Sequence, residues 1–106
     1  AFKLAGQDFV AINAGPEFKF NEAVSFMVDC QDQEEIDYYW EKLSKNPENE
    51  QCGWCKDQFG LSWQITPANI DQHMTGPDGA YNPKAFAAMM EMKKLDIAAL
   101  EAAARE

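Results

Sequence analysis

One change of hydrophobic period limits the folds open to this chain more than any other feature. AVSFMVDC, residues 23–30, is a run of apolar and β-branched residues of strand length, whereas DQEEIDYYWEKLSK sets Ile36, Tyr39, Trp40 and Leu43 at the spacing of one helix face. Asp32, with Glu35 three residues on, makes a capping-box pattern, and acids fill the first turn, so strand passes abruptly into helix. Asn46-Pro47 closes the helix. QCGWCKD and GLSWQIT then read as two short strands joined through Asp57-Gln58-Phe59-Gly60, and Pro67 stops the second.

On either side the character differs. Phe2 and Leu4 alternate with polar or small neighbours, Gly6-Gln7 supplies a turn, and Phe9-Val10-Ala11-Ile12 resumes an extended run, which predicts a hairpin over residues 1–13 that Gly15-Pro16 ends. Residues 68–81 mix Asn, Asp, Gly and Pro into a connector with room for a short helix around Ile70–Met74. Asn82-Pro83 supplies an N-cap and a first-turn proline for a helix through Phe86, Met89, Met90 and Met92, with Lys93 and Lys94 near its end. Leu95-Asp96 gives a hydrophobic staple and an N-cap for a last helix through Ala104. The methionine-rich face suits a core, a dimer seam or a binding surface.

Cys52-Gly53-Trp54-Cys55 invites a redox or zinc reading. On a strand, residues three apart point in opposite directions with Cα atoms ~10 Å apart. A disulfide needs ~7 Å or less, and two ligands of one zinc must converge. A thioredoxin-like pair opens a helix, whereas a turn and a strand follow Cys55; there is no second C-x-x-C, and His73 stands alone. Both cysteines are therefore expected on a strand in structural roles, although a β-bulge at Gly53 would bring the sulfurs together.

Composition excludes several classes. The chain has 106 residues, enough for one domain, with 46% hydrophobic residues and 12% aromatics, a globular make-up. Eighteen acidic against nine basic residues leave a net charge of −9, which repels phosphate backbones, so no nucleic-acid partner is expected. No apolar run approaches the ~20 residues of a membrane span, and none is expected. Three cysteines do not make a disulfide framework; reduced thiols and a cytoplasmic location are expected.

The stretches GQDFVAINAGPEFKF, AVSFMVDCQDQEEIDYYWEKL and QCGWCKDQFGLSWQITP, together with the tail MMEMKKLDIAALEAA, closely resemble the PhnB-like proteins. That family is labelled 3-demethylubiquinone-9 3-methyltransferase-like and belongs to the glyoxalase, bleomycin-resistance and extradiol dioxygenase (vicinal oxygen chelate) superfamily. Its signatures stand here as G-P-x-F-K-F at residues 15–20 and C-G-W-x-x-D-x-F-G-x-S-W-Q at residues 52–64. The resemblance implies an α+β fold of paired βαβββ modules curling into one cupped mixed sheet, with C-terminal helices. It makes residues 1–22 the final hairpin of a first module and a connector, residues 23–67 the second module, and residues 68–106 a helical extension, and it implies that a leading strand-helix stretch is missing.

Metal-dependent members of the superfamily draw ligands from the first and last strands of each module. The corresponding positions here read Ala23 and Gln64, with Ala11 and Asn13 in the visible first hairpin, so the usual divalent site looks dismantled and neither metal nor other cofactor is expected. Asn13, Trp54, Trp63 and Gln64 are the candidate ligand-binding residues, an apolar lining with orienting amides. Nothing here resembles the glycine-rich strand-to-helix loop that receives a nucleotide-like methyl donor. Three readings stay open: a small-molecule binding module, an enzyme of the family by methyl transfer, isomerisation or dioxygenation, and a structural dimer with a vestigial cavity. An unpaired hairpin and an apolar concave face also imply a homodimer.

Overall fold

A computed structural model describes residues 1–106. Strands β1 (Phe2–Leu4) and β2 (Gln7–Phe9) form an antiparallel hairpin in the register Phe2 to Phe9 and Leu4 to Gln7. Its turn is Ala5-Gly6, one residue before the expected place, and both residues have positive φ, 51° and 79°. That is the type I′ sense, whose twist matches the flanking strands. β2 stops at Phe9 instead of running to Ile12, because Phe9 already pairs with Phe2 and β1 offers almost no ladder beyond it.

The second sheet begins at β3 (Ser25–Cys30), which leads into helix α1 (Gln33–Leu43). The Asp32 carboxylate accepts from the Glu35 N–H at 2.9 Å, and the Glu35 carboxylate accepts in return from the Gln31 N–H at 2.6 Å. The return bond thus lands one residue before the cap. After a single 3₁₀ turn at Pro47–Asn49 come β4 (Trp54–Lys56) and β5 (Ser62–Pro67). The sheet order is β3-β5-β4, with β5 parallel to β3 and antiparallel to β4. An isolated bridge between Gln51 and Trp54 stands where the resemblance implies a further extended segment after the helix.

Period-two alternation sorts the sheet into two faces. Cys30, Ile65 and Cys55 lie against Ile36 of α1 as the main core, and Val28, Tyr39, Trp40, Leu43 and Trp63 pack around them. The helix residues are those whose spacing marked one face in the sequence. The opposite face carries Ser25, Met27 and Asp29 from β3, Ser62, Gln64 and Thr66 from β5, and Trp54 and Lys56 from β4. α1 leaves this second face uncovered.

The C-terminal third forms α2 (Ile70–His73), α3 (Pro83–Met90) and α4 (Ile97–Ala104), whose own small core is Met74, Ala85 and Ala104. Asn82 and Asp96 cap α3 and α4 as their positions in the sequence suggest. α3 ends at Met90, short of the expected Lys94, because the next carbonyls are taken by another part of the chain. The Gln51 side chain donates to the Met90 carbonyl, and the Cys52 and Gly53 N–H groups donate to those of Met92 and Lys93. The Gln33 amide completes the attachment, donating to the Leu95 carbonyl at 2.9 Å and accepting from the Ile97 N–H at 2.8 Å.

The molecule is drawn out, 52 × 30 × 22 Å, with a radius of gyration of 15.8 Å. A compact chain of this length reaches ~13 Å. An exposed arm runs between β2 and β3, where Ile12 and Phe18 are 81% and 91% exposed.

Candidate functional site

The uncovered sheet face is where the chain gathers polar groups beside an apolar wall. Trp54 and Gln64 are register partners across β4 and β5, and Met27 is the partner of Gln64 across β3, so the three side chains form one row. The Gln64 Nε2 donates to Ser25 Oγ at 2.9 Å, which anchors the amide on this face. A cavity of about 430 Å³ opens above this row, floored by Met27, Trp54, Gln64 and Thr66 and walled by Ile70 and Leu95 of the C-terminal segment. Its volume is within the usual range for small-molecule sites.

A second recess of about 360 Å³ lies beside it along β4 and shares Cys52 and Trp54 with it. Lys56 and Ser62, register partners on β4 and β5, lie in this recess. The Lys56 ammonium pairs with the Glu22 carboxylate, and that hydrogen-bonded contact holds the Glu22 carboxyl below the usual carboxylate range. Ser62 Oγ is buried and has no hydrogen-bond partner.

The other two candidates lie elsewhere. Trp63 is on the helix-covered face, where its ring meets that of Phe26 at a 53° tilt with centroids 5.4 Å apart, and its indole N–H donates to Asp57 Oδ2 at 2.9 Å. Asn13 sits in the exposed arm, in a shallow recess with Phe18, Phe20 and Phe59. Adjacent strand positions cannot share a face, so Trp63 and Gln64 could not have met. Lys56, Ser62 and Met27 are among the lining residues that reasoning from the sequence passed over. The period-two spacing of Trp54 with Lys56, and of Ser62 with Gln64, was the signal for two of them.

A larger and more apolar hollow, about 730 Å³, lies under the β1-β2 hairpin beside Phe26, Val28, Tyr39 and Trp63. Size alone favours it as a site. Tyr38, Tyr39 and Lys42 also line it, but its indole N–H is already satisfied by Asp57, whereas the uncovered face carries a hydrogen-bonded amide and an unpaired hydroxyl.

Cys55 lies on β4 as expected, but Cys52 does not lie on a strand. It occupies a two-residue reversal with Gly53, at φ 40° and 91°, because their N–H groups are turned toward the C-terminal carbonyls while Gln51 and Trp54 pair. All three cysteines are free. Burial pushes the Cys30 and Cys55 thiols up to about 11, with nearby carboxylates, first Glu35 and Glu50 respectively, adding to it. The metal positions implied by the superfamily do not fit an ion: Ala23 has no donor atom, Gln64 offers only a neutral amide oxygen, and no three His, Cys, Asp or Glu side chains converge anywhere in the molecule. No helix is long and apolar enough to cross a membrane.

No curated protein matches the chain. The family profile described as 3-demethylubiquinone-9 3-methyltransferase matches residues 1–66, a span that ends within β5 and contains the Trp54, Lys56, Ser62 and Gln64 positions of the uncovered face. With well over half of its length inside that match and a mixed α+β architecture around it, the chain belongs to the 3-demethylubiquinone-9 3-methyltransferase family of glyoxalase-like proteins.

Proposed function

We propose that this protein binds a small organic molecule on the uncovered face of its second sheet, between Trp54 and Gln64. The observation that carries the reading is the row Met27-Gln64-Trp54, which sets one fixed amide between two large apolar side chains at the floor of a walled cavity. An apolar wall supplies affinity by desolvation, and a single oriented amide supplies direction. Native mass spectrometry of the protein after exposure to a metabolite extract tests it. A retained compound that Trp54→Ala releases, while the variant keeps its circular dichroism, is the expected result. Retention unchanged in Trp54→Ala overturns the reading.

A second copy of the chain is the proposed cover for the exposed arm. Val10, Ile12, Phe18 and Phe20 are all exposed within eleven residues, and β3 is an edge strand with no neighbour on its outer side. Exposed apolar surface and an open edge together favour self-association. Analytical ultracentrifugation at micromolar concentration is expected to show a dimer that Ile12→Asp with Phe18→Asp converts to monomer. A monomer in the unmodified protein refutes it.

A further inference from the structure

Glu22 belongs to the coil before β3 and has a mostly exposed carboxylate, yet it reaches over the uncovered sheet face to pair with Lys56, whose side chain is only 19% exposed. Directly across the ladder from Lys56, Ser62 is 1% exposed and its hydroxyl meets no partner. A hydroxyl left unpaired inside a protein is unfavourable, and such groups are rare unless something else meets them. We infer that Lys56 and Ser62 form the carboxylate-holding end of the ligand cavity, and that Glu22 is the internal carboxylate occupying that end when no ligand is bound. The inference deepens the binding reading above and rests on it.

The chemistry follows from the groups present. A carboxylate has two oxygens with about four lone-pair directions, so one oxygen can accept from the Lys56 ammonium while the other accepts from Ser62 O–H. Glu22 satisfies the first demand and leaves the second unmet. An incoming carboxylate meets both. Exchange conserves charge, since one carboxylate replaces another beside the same ammonium, and the displaced Glu22 side chain is already mostly in water. The uncharged Asn49 side chain also lines the recess and adds no repulsion.

The rest of the ligand is fixed by what adjoins this end. The recess borders the Gln64 cavity, sharing Cys52 and Trp54 with it, so a molecule anchored at Lys56 would extend its body along the indole. The class is a monocarboxylate with a small apolar body, since Asp29 and Asp71 also line the Gln64 cavity and repel a second negative charge. In a protein of net charge −9, a long-range field does not attract such an anion. Recognition therefore depends on the local contact, which makes the site selective for a ligand that places its charge against Lys56.

Benzoate and its uncharged isostere benzamide are suitable probes, followed by calorimetry and by the Trp54 indole N–H resonance. Benzoate is expected to bind about tenfold more tightly than benzamide and to shift the Trp54 signal. Ser62→Ala, which keeps the buried volume nearly unchanged, is expected to weaken benzoate about fivefold without altering benzamide. Glu22→Gln is expected to tighten benzoate several-fold by removing the competitor. Equal affinity for the two probes, or benzoate affinity indifferent to both Ser62→Ala and Glu22→Gln, overturns the carboxylate end. So does absence of benzoate binding at millimolar concentration. In each of these cases the metabolite screen with Trp54→Ala judges the cavity itself separately.

Discussion

Trp63 donates its indole N–H to Asp57 Oδ2 across the turn that joins β4 to β5, and the same carboxylate's Oδ1 accepts from the backbone N–H groups of Phe59 and Leu61. One side chain thus closes the turn and ties it to a core aromatic. This accounts for much of the D-x-F-G-x-S-W run as structure: Asp57 is the acceptor, Gly60 sits at φ 86° where a side chain is strained, and Trp63 is the donor.

Removing that acceptor should therefore be costly at a position on the surface side of the turn. Asp57→Ala is expected to lower stability by about 1.5–3 kcal/mol, the range for a charge-assisted network whose donors are left unpaired. Asp57→Asn keeps an oxygen for the turn but cannot serve the indole as well, so it should fall between wild type and Asp57→Ala. Urea titration of the three proteins gives the order. Equal stability of Asp57→Ala and wild type removes this role from Asp57.

How much of this was legible in the sequence depended on whether the determining interaction was local. α1 was readable because its cap, its apolar spacing and its closing proline all lie within one segment, and Ile36, Tyr39, Trp40 and Leu43 do face the core. Trp54 and Gln64, both candidate lining residues from the resemblance, are set side by side by strand register. The end of α3 and the conformation of Cys52 were not readable. Both are set by hydrogen bonds between residues some forty positions apart, Cys52 to Met92 and Gly53 to Lys93, and neither segment carries a local sign of the other. Trp63 was assigned to the cavity because its type suited a lining; the face it takes is decided by its parity with Gln64.

The C-terminal helices are held to the module by Gln33, whose amide replaces a backbone partner for both Leu95 and Ile97. Lys94 adds an ion pair to Asp37 at 2.8 Å on the same side. Gln33→Ala should leave both backbone groups short of a partner and loosen residues 91–104 while the sheet stays intact. Hydrogen exchange is expected to speed up at Ile97 and in α4, with a global loss of about 1–3 kcal/mol. Uniform acceleration through β3 and β5 instead would show that the C-terminal segment is not a separable unit.

Gly53 is required twice over. Its φ is 91°, and a Cβ built there would stand 3.1 Å from Leu95 Cδ1 and 3.4 Å from the Ile65 carbonyl oxygen. Gly53→Ala is therefore expected to cost about 1–3 kcal/mol through backbone strain and crowding together. Trimming the neighbour separates the two causes. If crowding contributes, Gly53→Ala should cost less in a Leu95→Val background than in wild type; an equal cost in both assigns the whole effect to backbone conformation. Thermal melts of the four proteins supply the comparison.

The three thiols differ enough to be told apart chemically. Cys30 and Cys55 are fully buried and raised to about 11, whereas Cys52 is partly exposed and raised by burial alone. Since the thiolate is the reactive species, alkylation at pH 8 should mark Cys52 first and reach Cys30 and Cys55 only as the protein unfolds. Peptide mapping after a timed iodoacetamide pulse reads the order, and early modification of Cys55 would contradict its placement on the core side of β4. The same shifts carry a pH consequence. A thiol raised on folding from its ordinary value of 9.0 stays protonated in the native state where the unfolded chain would already have lost the proton. Their contribution is therefore fully present below pH 9, and stability falls as pH rises toward 11. Replacing Cys30 and Cys55 by alanine should flatten that alkaline decline, whatever the two substitutions do to stability at neutral pH.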